Sequence, residues 1–227
     1  KLNPGIRPQP RSFSLLSGAG YRPLKRAVDV ICASGLLLLF GPLMALIAIA
    51  IKLYSPGPVF YRQRRVGKHG VPFMMLKFRS MHAGNDSNIH RDHVRRLIRE
   101  NIRPEDLGAT SLKLGRDPRV TPLGRWLRAL SLDELPQFIN VLYGEMSLVG
   151  PRPPLPYEYE LYQDWHKHRL SVLPGITGIW QVTARNQVAF DDMVRLDLAY
   201  IETMSLWLDL TILVRTPVAM LTGKGGG

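Results

Sequence analysis

The run 30-VICASGLLLLFGPLMALIAIAI-51 carries no charged side chain over 22 residues. About 20 apolar residues, rising about 1.5 Å each, cross the hydrocarbon of a bilayer. The segment therefore predicts a membrane helix. It is long for a secretory signal and starts well inside the chain; a buried core helix is the other reading. Gly41-Pro42 sits at its centre, where proline removes a backbone donor and kinks a helix. Both flanks are basic, with Arg22, Lys25 and Arg26 before and Lys52, Arg62, Arg64 and Arg65 after. Positive charge is retained on the cytoplasmic side of a membrane. Basic flanks on both sides predict a helix that enters, bends at Gly41-Pro42 and returns to the same face, in preference to a simple span.

The 227 residues, 45% of them hydrophobic, suit one domain or one domain with an appendage. The net charge of +12 favours an acidic partner: an anionic membrane face, a phosphorylated substrate or a nucleic acid. No zinc spacing, ribonucleoprotein aromatic signature or basic zipper accompanies the charge, and the apolar run argues against a nucleic-acid binder. The single cysteine, Cys32, excludes an intrachain disulfide and argues against a cysteine metal site. No Walker or Rossmann glycine pattern is present; 17-SGAG-20 precedes the membrane helix and reads as linker. A start at Lys1 reads as a piece of a longer protein, and the closing GKGGG as an appended or flexible end.

Outward from the apolar run, residues 1–20 read as a linker or mobile arm, 21–54 as the membrane-embedded re-entrant helix, 55–222 as a cytosolic catalytic domain and 223–227 as a flexible tail. VFYRQRRVGKHGVPFMMLKFRSM, from 59, predicts two short strands around Gly67–Gly70. Residues 82–106 read as an insertion or surface helix. Its His90 and His93, like His166 and His168, are expected on solvated faces. Helices are predicted near 121–130, 132–143, 156–169 and 190–204, with a loop and short strand over 171–186. Asp191 and Asp192 fit first-turn acids of a helix. The apolar stretch 205–222 either lies in the membrane interface or packs on the core.

The chemistry concentrates in 131-SLDELPQFINVLYGEMSLVGPRPP-154. The plain reading of its acids is a capping box, Ser131-x-x-Glu134, with Asp133 as a first-turn acid. Three features argue for more. Arg125, Arg128 and Arg152 surround the pair, and helix N-termini attract phosphates. A carboxylate among cations stays ionised and can act as a nucleophile once a phosphate's charge is screened. The proline-rich GPRPP stiffens the backbone around Arg152, so it can hold a diphosphate at small entropic cost. Lys77 and Arg79 add cations at the end of a strand.

KRAVDV at 25–30, SPGPVFYRQRRVG at 55–67, KFRSM at 77–81, LDELPQFINVLYGEMSLVGPRP at 132–153 and LPGITGIWQV at 173–182 resemble the bacterial sugar transferase family, the monotopic polyprenyl-phosphate phosphoglycosyl transferases. The resemblance runs from about Arg22 to Leu221 in ordered blocks. It implies transfer of a sugar 1-phosphate from a UDP-sugar to polyprenyl (undecaprenyl) phosphate, releasing UMP, with Mg²⁺. This is the first membrane step of exopolysaccharide or O-antigen assembly. It implies that Asp133 becomes phosphorylated, that Glu134 completes the dyad, and that one or both contact the metal. Lys77, Arg79, Arg128 and Arg152 occupy positions like the family's phosphate-handling cations. The family's re-entrant helix often breaks at Ser-Pro; here Gly41-Pro42 stands at the break.

The expected fold is α+β and mainly helical: a re-entrant membrane helix plus a cytosolic α-helical domain with a small β-hairpin and interfacial amphipathic helices. The expected partners are a UDP-sugar, polyprenyl phosphate and the anionic cytoplasmic leaflet of a bacterial inner membrane, with no nucleic acid; a homodimer is compatible. Trp180, Gln181 and Arg185 are candidates for the sugar or uridine pocket. The nearest rival, an ordinary glycosyltransferase, would leave UDP. An inactive membrane scaffold would not need Asp133, Glu134, Lys77 and Arg152 together.

Overall fold

The computed structural model describes residues 20–82, 88–101, 119–183 and 188–221. The arm before residue 20, the 102–118 segment, Arg185 and the terminal GKGGG lie outside them. Among the described residues, one helix is long and apolar enough to cross a membrane: α1, Tyr21–Tyr54. Only 11% of its most apolar window is buried, which excludes a core helix. Leu38 and Leu39 are 82% and 69% exposed.

The helix runs unbroken through Gly41 and Pro42, where a break was expected. Pro42 deprives α1 of one N–H; a Cβ on Gly41 would meet nothing within 4 Å. Both ends of α1 are tied to the same body. Tyr21 Oη and Lys25 Nζ donate to Asp209 at 2.7 and 2.8 Å, and Arg26 donates to the carbonyls of Val141 and Leu142. Asp29 accepts from the Leu148 amide. At the other end Ile47 and Ile51 pack against Phe78 and Leu127.

Strands β1 (Phe60–Val66) and β2 (Pro72–Phe78) form the expected antiparallel hairpin, with Tyr61 opposite Lys77 and Arg65 opposite Phe73. Period-two alternation puts Tyr61, Gln63, Arg65, Phe73, Met75 and Lys77 on one face. Phe73, Met75 and Arg65 are buried there. Helix α2 (Asn88–Glu100) is not a solvated insertion: Val94, Leu97 and Ile98 are buried, and Val94 and Ile98 pack in one cluster with Trp180 and Phe190. Helix α3 (Pro122–Ala129) starts at Thr121, whose side chain accepts from the Gly124 amide at 2.9 Å, with proline in the first turn as expected.

The predicted helix over 132–143 divides. Leu132–Glu134 is a 3-10 turn, and α4 (Gln137–Tyr143) follows Pro136 and ends at Gly144, φ 80°. Strand β3 (Ser147–Val149) pairs in parallel with β4 (Gly175–Thr177), a pairing the sequence reading missed. Two short helices, α5 (Pro156–Tyr159) and α6 (Asp164–Lys167), replace one predicted helix. Helices α7 (Ile179–Thr183), α8 (Phe190–Glu202) and α9 (Leu206–Leu221) complete the chain.

Helix α9 has two characters. Asp209 and Ile212 are buried, while Trp207, Leu210, Val214 and Val218 stay exposed at helical spacing. Asp209 also accepts from Tyr200 Oη at 2.6 Å, so one carboxylate joins α1, α8 and α9. His166, expected on a solvated face, is 2% exposed and packed edge-on against Tyr162 and Phe190. Its Nδ1 accepts from the Gln163 amide, which leaves Nε2–H facing Asp191. Asp192 pairs instead with Arg195 one turn on, and both acids stand in the first turn of α8 as expected.

Candidate active site

Asp133 and Glu134 sit on the 3-10 turn after α3, preceded by Ser131 in the left-handed region at φ 54°. That conformation costs a non-glycine residue about 1–2 kcal/mol. The Ser131 side chain makes no cap hydrogen bond, so the capping box is not formed. Glu134 turns instead to β2, where Lys77 Nζ donates to its Oε1 at 2.8 Å. Asp133 is 8% exposed beside it.

Asn140, 1% exposed, sets this alignment. Its Oδ1 accepts from the Leu76 amide and its Nδ2 donates to the Met74 carbonyl, both at 2.9 Å. These bonds clamp α4 to β2 one residue from Lys77. Glycine permits the second close approach: a Cβ on Gly124 would meet the Ser80 carbonyl oxygen at 2.0 Å, so α3 lies directly on the end of β2.

Arg152 stands on a segment held from two sides. Arg65 Nη1 donates to the Pro153 carbonyl at 2.9 Å and the Val66 amide to that of Pro154 at 3.0 Å. On the other side Gly150 and Gly175 bond across β3 and β4, to the carbonyls of Thr177 and Pro151. A Cβ on Gly175 would come within 2.1 Å of the Gly150 nitrogen, so only glycine allows this contact. Arg65 is itself buried, and burial together with the nearby Arg152 charge brings its guanidinium down to about 10.

A cavity of about 780 Å³ adjoins these groups, with neither Asp133 nor Lys77 in its lining. Arg128, Ser131, Glu134 and Arg152 line it, and so do Leu36 and Phe40 of α1. Arg65, Glu158 and Arg169 also reach it; none was singled out from sequence. Arg65 was legible in principle, because it shares the strand face of Lys77. Arg169 was not: its partners Tyr162 and Asp197 are brought to it only by the tertiary fold. Burial raises the Asp197 carboxyl to about 6 against the pull of Arg169. Trp180 and Gln181 line the cavity as well.

Arg79 goes elsewhere. Its guanidinium donates to the carbonyls of Pro56 and Ser55, both at 2.7 Å, and to Ser55 Oγ at 2.9 Å. It closes the C-terminal end of α1 and does not line the cavity. Orphan carbonyls at a helix end attract such a cation.

Among the described residues no three His, Cys, Asp or Glu side chains gather as a metal cage. Mg²⁺ seldom uses such cages and takes one or two carboxylates with substrate phosphates. Asp133 and Glu134 supply a hard oxygen pair of that kind beside the cavity.

A model of the bacterial sugar transferase family matches residues 20–223. The exopolysaccharide production protein ExoY of Rhizobium meliloti is 42% identical over 201 residues, 88% of this chain and 87% of that protein. The undecaprenyl-phosphate galactose phosphotransferase of Salmonella typhimurium is 39% identical over 204 residues, 90% of this chain but 42% of that protein. The UDP-glucose:undecaprenyl-phosphate glucose-1-phosphate transferase of Escherichia coli K12 is 40% identical over 220 residues, 93% of this chain and 43% of that protein. The chain thus spans most of ExoY and less than half of the two longer relatives. With the match running from the first turn of α1 to beyond the end of α9, the chain belongs to the bacterial sugar transferase family.

Proposed function

We propose that the chain moves a sugar 1-phosphate from a UDP-sugar to polyprenyl (undecaprenyl) phosphate, releasing UMP, on the cytoplasmic face of a bacterial inner membrane. One observation carries this reading. The carboxylate turn, with Glu134 locked to Lys77, adjoins a cavity lined by Arg128, Arg152 and the membrane helix itself. A charged donor and a lipid acceptor can meet at such a place without either leaving its phase.

Asp133 is the proposed nucleophile. Its carboxylate oxygen attacks the β-phosphorus of the donor, and the bond from that phosphorus to the bridging oxygen breaks, its electron pair leaving with UMP. An oxygen of the lipid phosphate then attacks the same phosphorus, and the aspartyl–phosphorus bond breaks to regenerate the carboxylate. Arg128 and Arg152 hold phosphate oxygens as charge shifts, and Lys77 orients Glu134. When bound by Asp133, Glu134 and the diphosphate, Mg²⁺ supplies neutralisation of phosphate charge.

The proposed re-entrant topology draws on the anchoring of both ends of α1, although the helix itself is continuous through Gly41-Pro42. A helix crossing the bilayer separates its ends by about 30 Å of hydrocarbon. Here one end bonds to Asp209 and the other packs on Phe78, both in the same body. The positive charge of the chain suits an anionic leaflet.

The test is product release from a panel of UDP-sugars with Mg²⁺, with and without polyprenyl phosphate. UMP together with a lipid-linked product is the expected result, and Asp133→Asn abolishes both turnover and the covalent adduct. UDP in place of UMP refutes the reading, and a folded, active Asp133→Asn variant refutes the nucleophile.

A further inference from the structure

The cavity lining is chemically mixed, because it draws on residues of three buried clusters. On one side its walls are mainly aliphatic: Leu36 of α1 with Leu213, Pro217 and Met220 of α9. Those helices carry much of the exposed apolar surface among the described residues, including Leu38, Leu39, Val214 and Val218. On a second side the walls are aromatic: Tyr162, Trp180 and Phe190, with Val94, Leu97 and Ile98 of α2 beside them. The third side is polar and cationic, formed by Arg128, Ser131, Glu134 and Arg152.

We propose that the aromatic end, against Trp180 and walled by α2, binds the pyrimidine base of the nucleotide donor. The inference rests on the reading of the chain as a UDP-sugar phosphotransferase. The cationic side takes the phosphates. Helices α1 and α9 line the cavity and also carry exposed apolar residues, so the prenyl chain is assigned to their side. The remaining aromatic side must take a part of the donor.

Of the donor's two remaining parts, the base matches better. Uracil is flat, stacks on aromatic faces and presents two carbonyl acceptors with a single N3–H donor. A hexose presents hydroxyls that require both donors and acceptors around its ring. Trp180 is 6% exposed, and its indole N–H has no hydrogen-bond partner among the described residues. Buried indole N–H groups ordinarily find one. The α2 residues that cluster with it, Val94 and Ile98, are aliphatic. Helix α2 is therefore a wall of the donor site, and its size at Val94, Leu97 and Ile98 sets the fit of the base.

Calorimetry on the full chain in detergent, with UMP, CMP and AMP as probes, tests this directly. UMP binds the wild type tightest, and AMP, with its larger purine, weakest. Ile98→Trp fills the aromatic end and weakens UMP by about tenfold or more, while the KM for polyprenyl phosphate in UMP release changes by less than about twofold. Trp180→Phe keeps a ring, removes the N–H and weakens UMP about fivefold; it decides the matter if Ile98→Trp does not fold. Unchanged UMP affinity in the folded variants, an effect on the lipid KM in place of the nucleotide, or AMP bound as well as UMP overturns the proposal. A wild type that makes UMP from a UDP-sugar while those variants bind it normally leaves the proposed function standing and removes this inference alone. A wild type that neither binds nor makes UMP removes both.

Discussion

Replacing Lys77 with methionine keeps the aliphatic stem and removes the ammonium that holds Glu134. The two groups lie 2.8 Å apart with side-chain exposures of 15% and 26%. A fully exposed pair contributes about 0.2–1 kcal/mol, whereas a hydrogen bond to a charged group in a partly buried place contributes about 1.5–3 kcal/mol. The low exposure and single short contact favour the larger range. If the bond orients Glu134 during phosphoryl transfer, Lys77→Met lowers kcat/KM by about 10- to 150-fold. The assay is UMP release by wild type, Lys77→Met, Glu134→Gln and the double variant, with thermal unfolding of each as the folding control. Groups acting as a unit give a double variant no worse than the worse single, with a coupling energy of about 1.5–3 kcal/mol. Additive losses with coupling below about 0.5 kcal/mol refute the reasoning, and so does an unaffected Lys77→Met.

Arg152→Ala and Arg79→Ala should separate two kinds of arginine. The first loses about 2–3 kcal/mol of transition-state stabilisation with little change in Tm, because Arg152 faces the cavity. The second lowers Tm, because it leaves the carbonyls of Ser55 and Pro56 without their donor. Gly124→Ala gains helix propensity of up to about 1 kcal/mol but forces a Cβ into the Ser80 backbone. Overpacking costs about 1–3 kcal/mol or more, so Tm falls and activity falls with it as α3 is displaced from β2. His166 is held below its ordinary value of 6.5 by burial, against the opposing pull of Asp191. The unfolded chain therefore takes up the proton first, and the stability tied to neutral His166 is complete above about pH 6.5 and is lost as pH falls below it. Thermal melts from pH 5 to 8 should show this slope in the wild type and a flatter one in His166→Gln.

Much of the secondary structure follows from local pattern. Thr121-Pro122 starts a helix because a hydroxyl caps it and proline suits its first turn. The β1–β2 hairpin is readable from its alternation around Gly67–Gly70. The departures from local pattern have a common source. Ser131-x-x-Glu134 has the spacing of a capping box, yet Glu134 goes to Lys77, 57 positions away in sequence. A lysine brought up by a strand outcompetes a local backbone donor, and no window of sequence contains both. Arg79 follows Lys77 by two, yet in the structure it bonds to the end of α1 and stands outside the cavity lining. The end of α1 reaches it first.

The sequence by itself determined that one helix is long and apolar enough to cross a membrane, that a hairpin follows it, and that an Asp-Glu pair lies among arginines. These rest on periodicity, charge and spacing, which are local and need no partner. Only the tertiary structure decided which cations meet the pair, that both ends of α1 join one body, and that α2 is a wall and not a surface insertion. Those outcomes depend on side chains far apart in the chain competing for the same buried donors and acceptors. That competition is settled by packing: Asn140 clamps α4 to β2, and glycine at 124, 150 and 175 lets backbones approach where a Cβ would hold them apart.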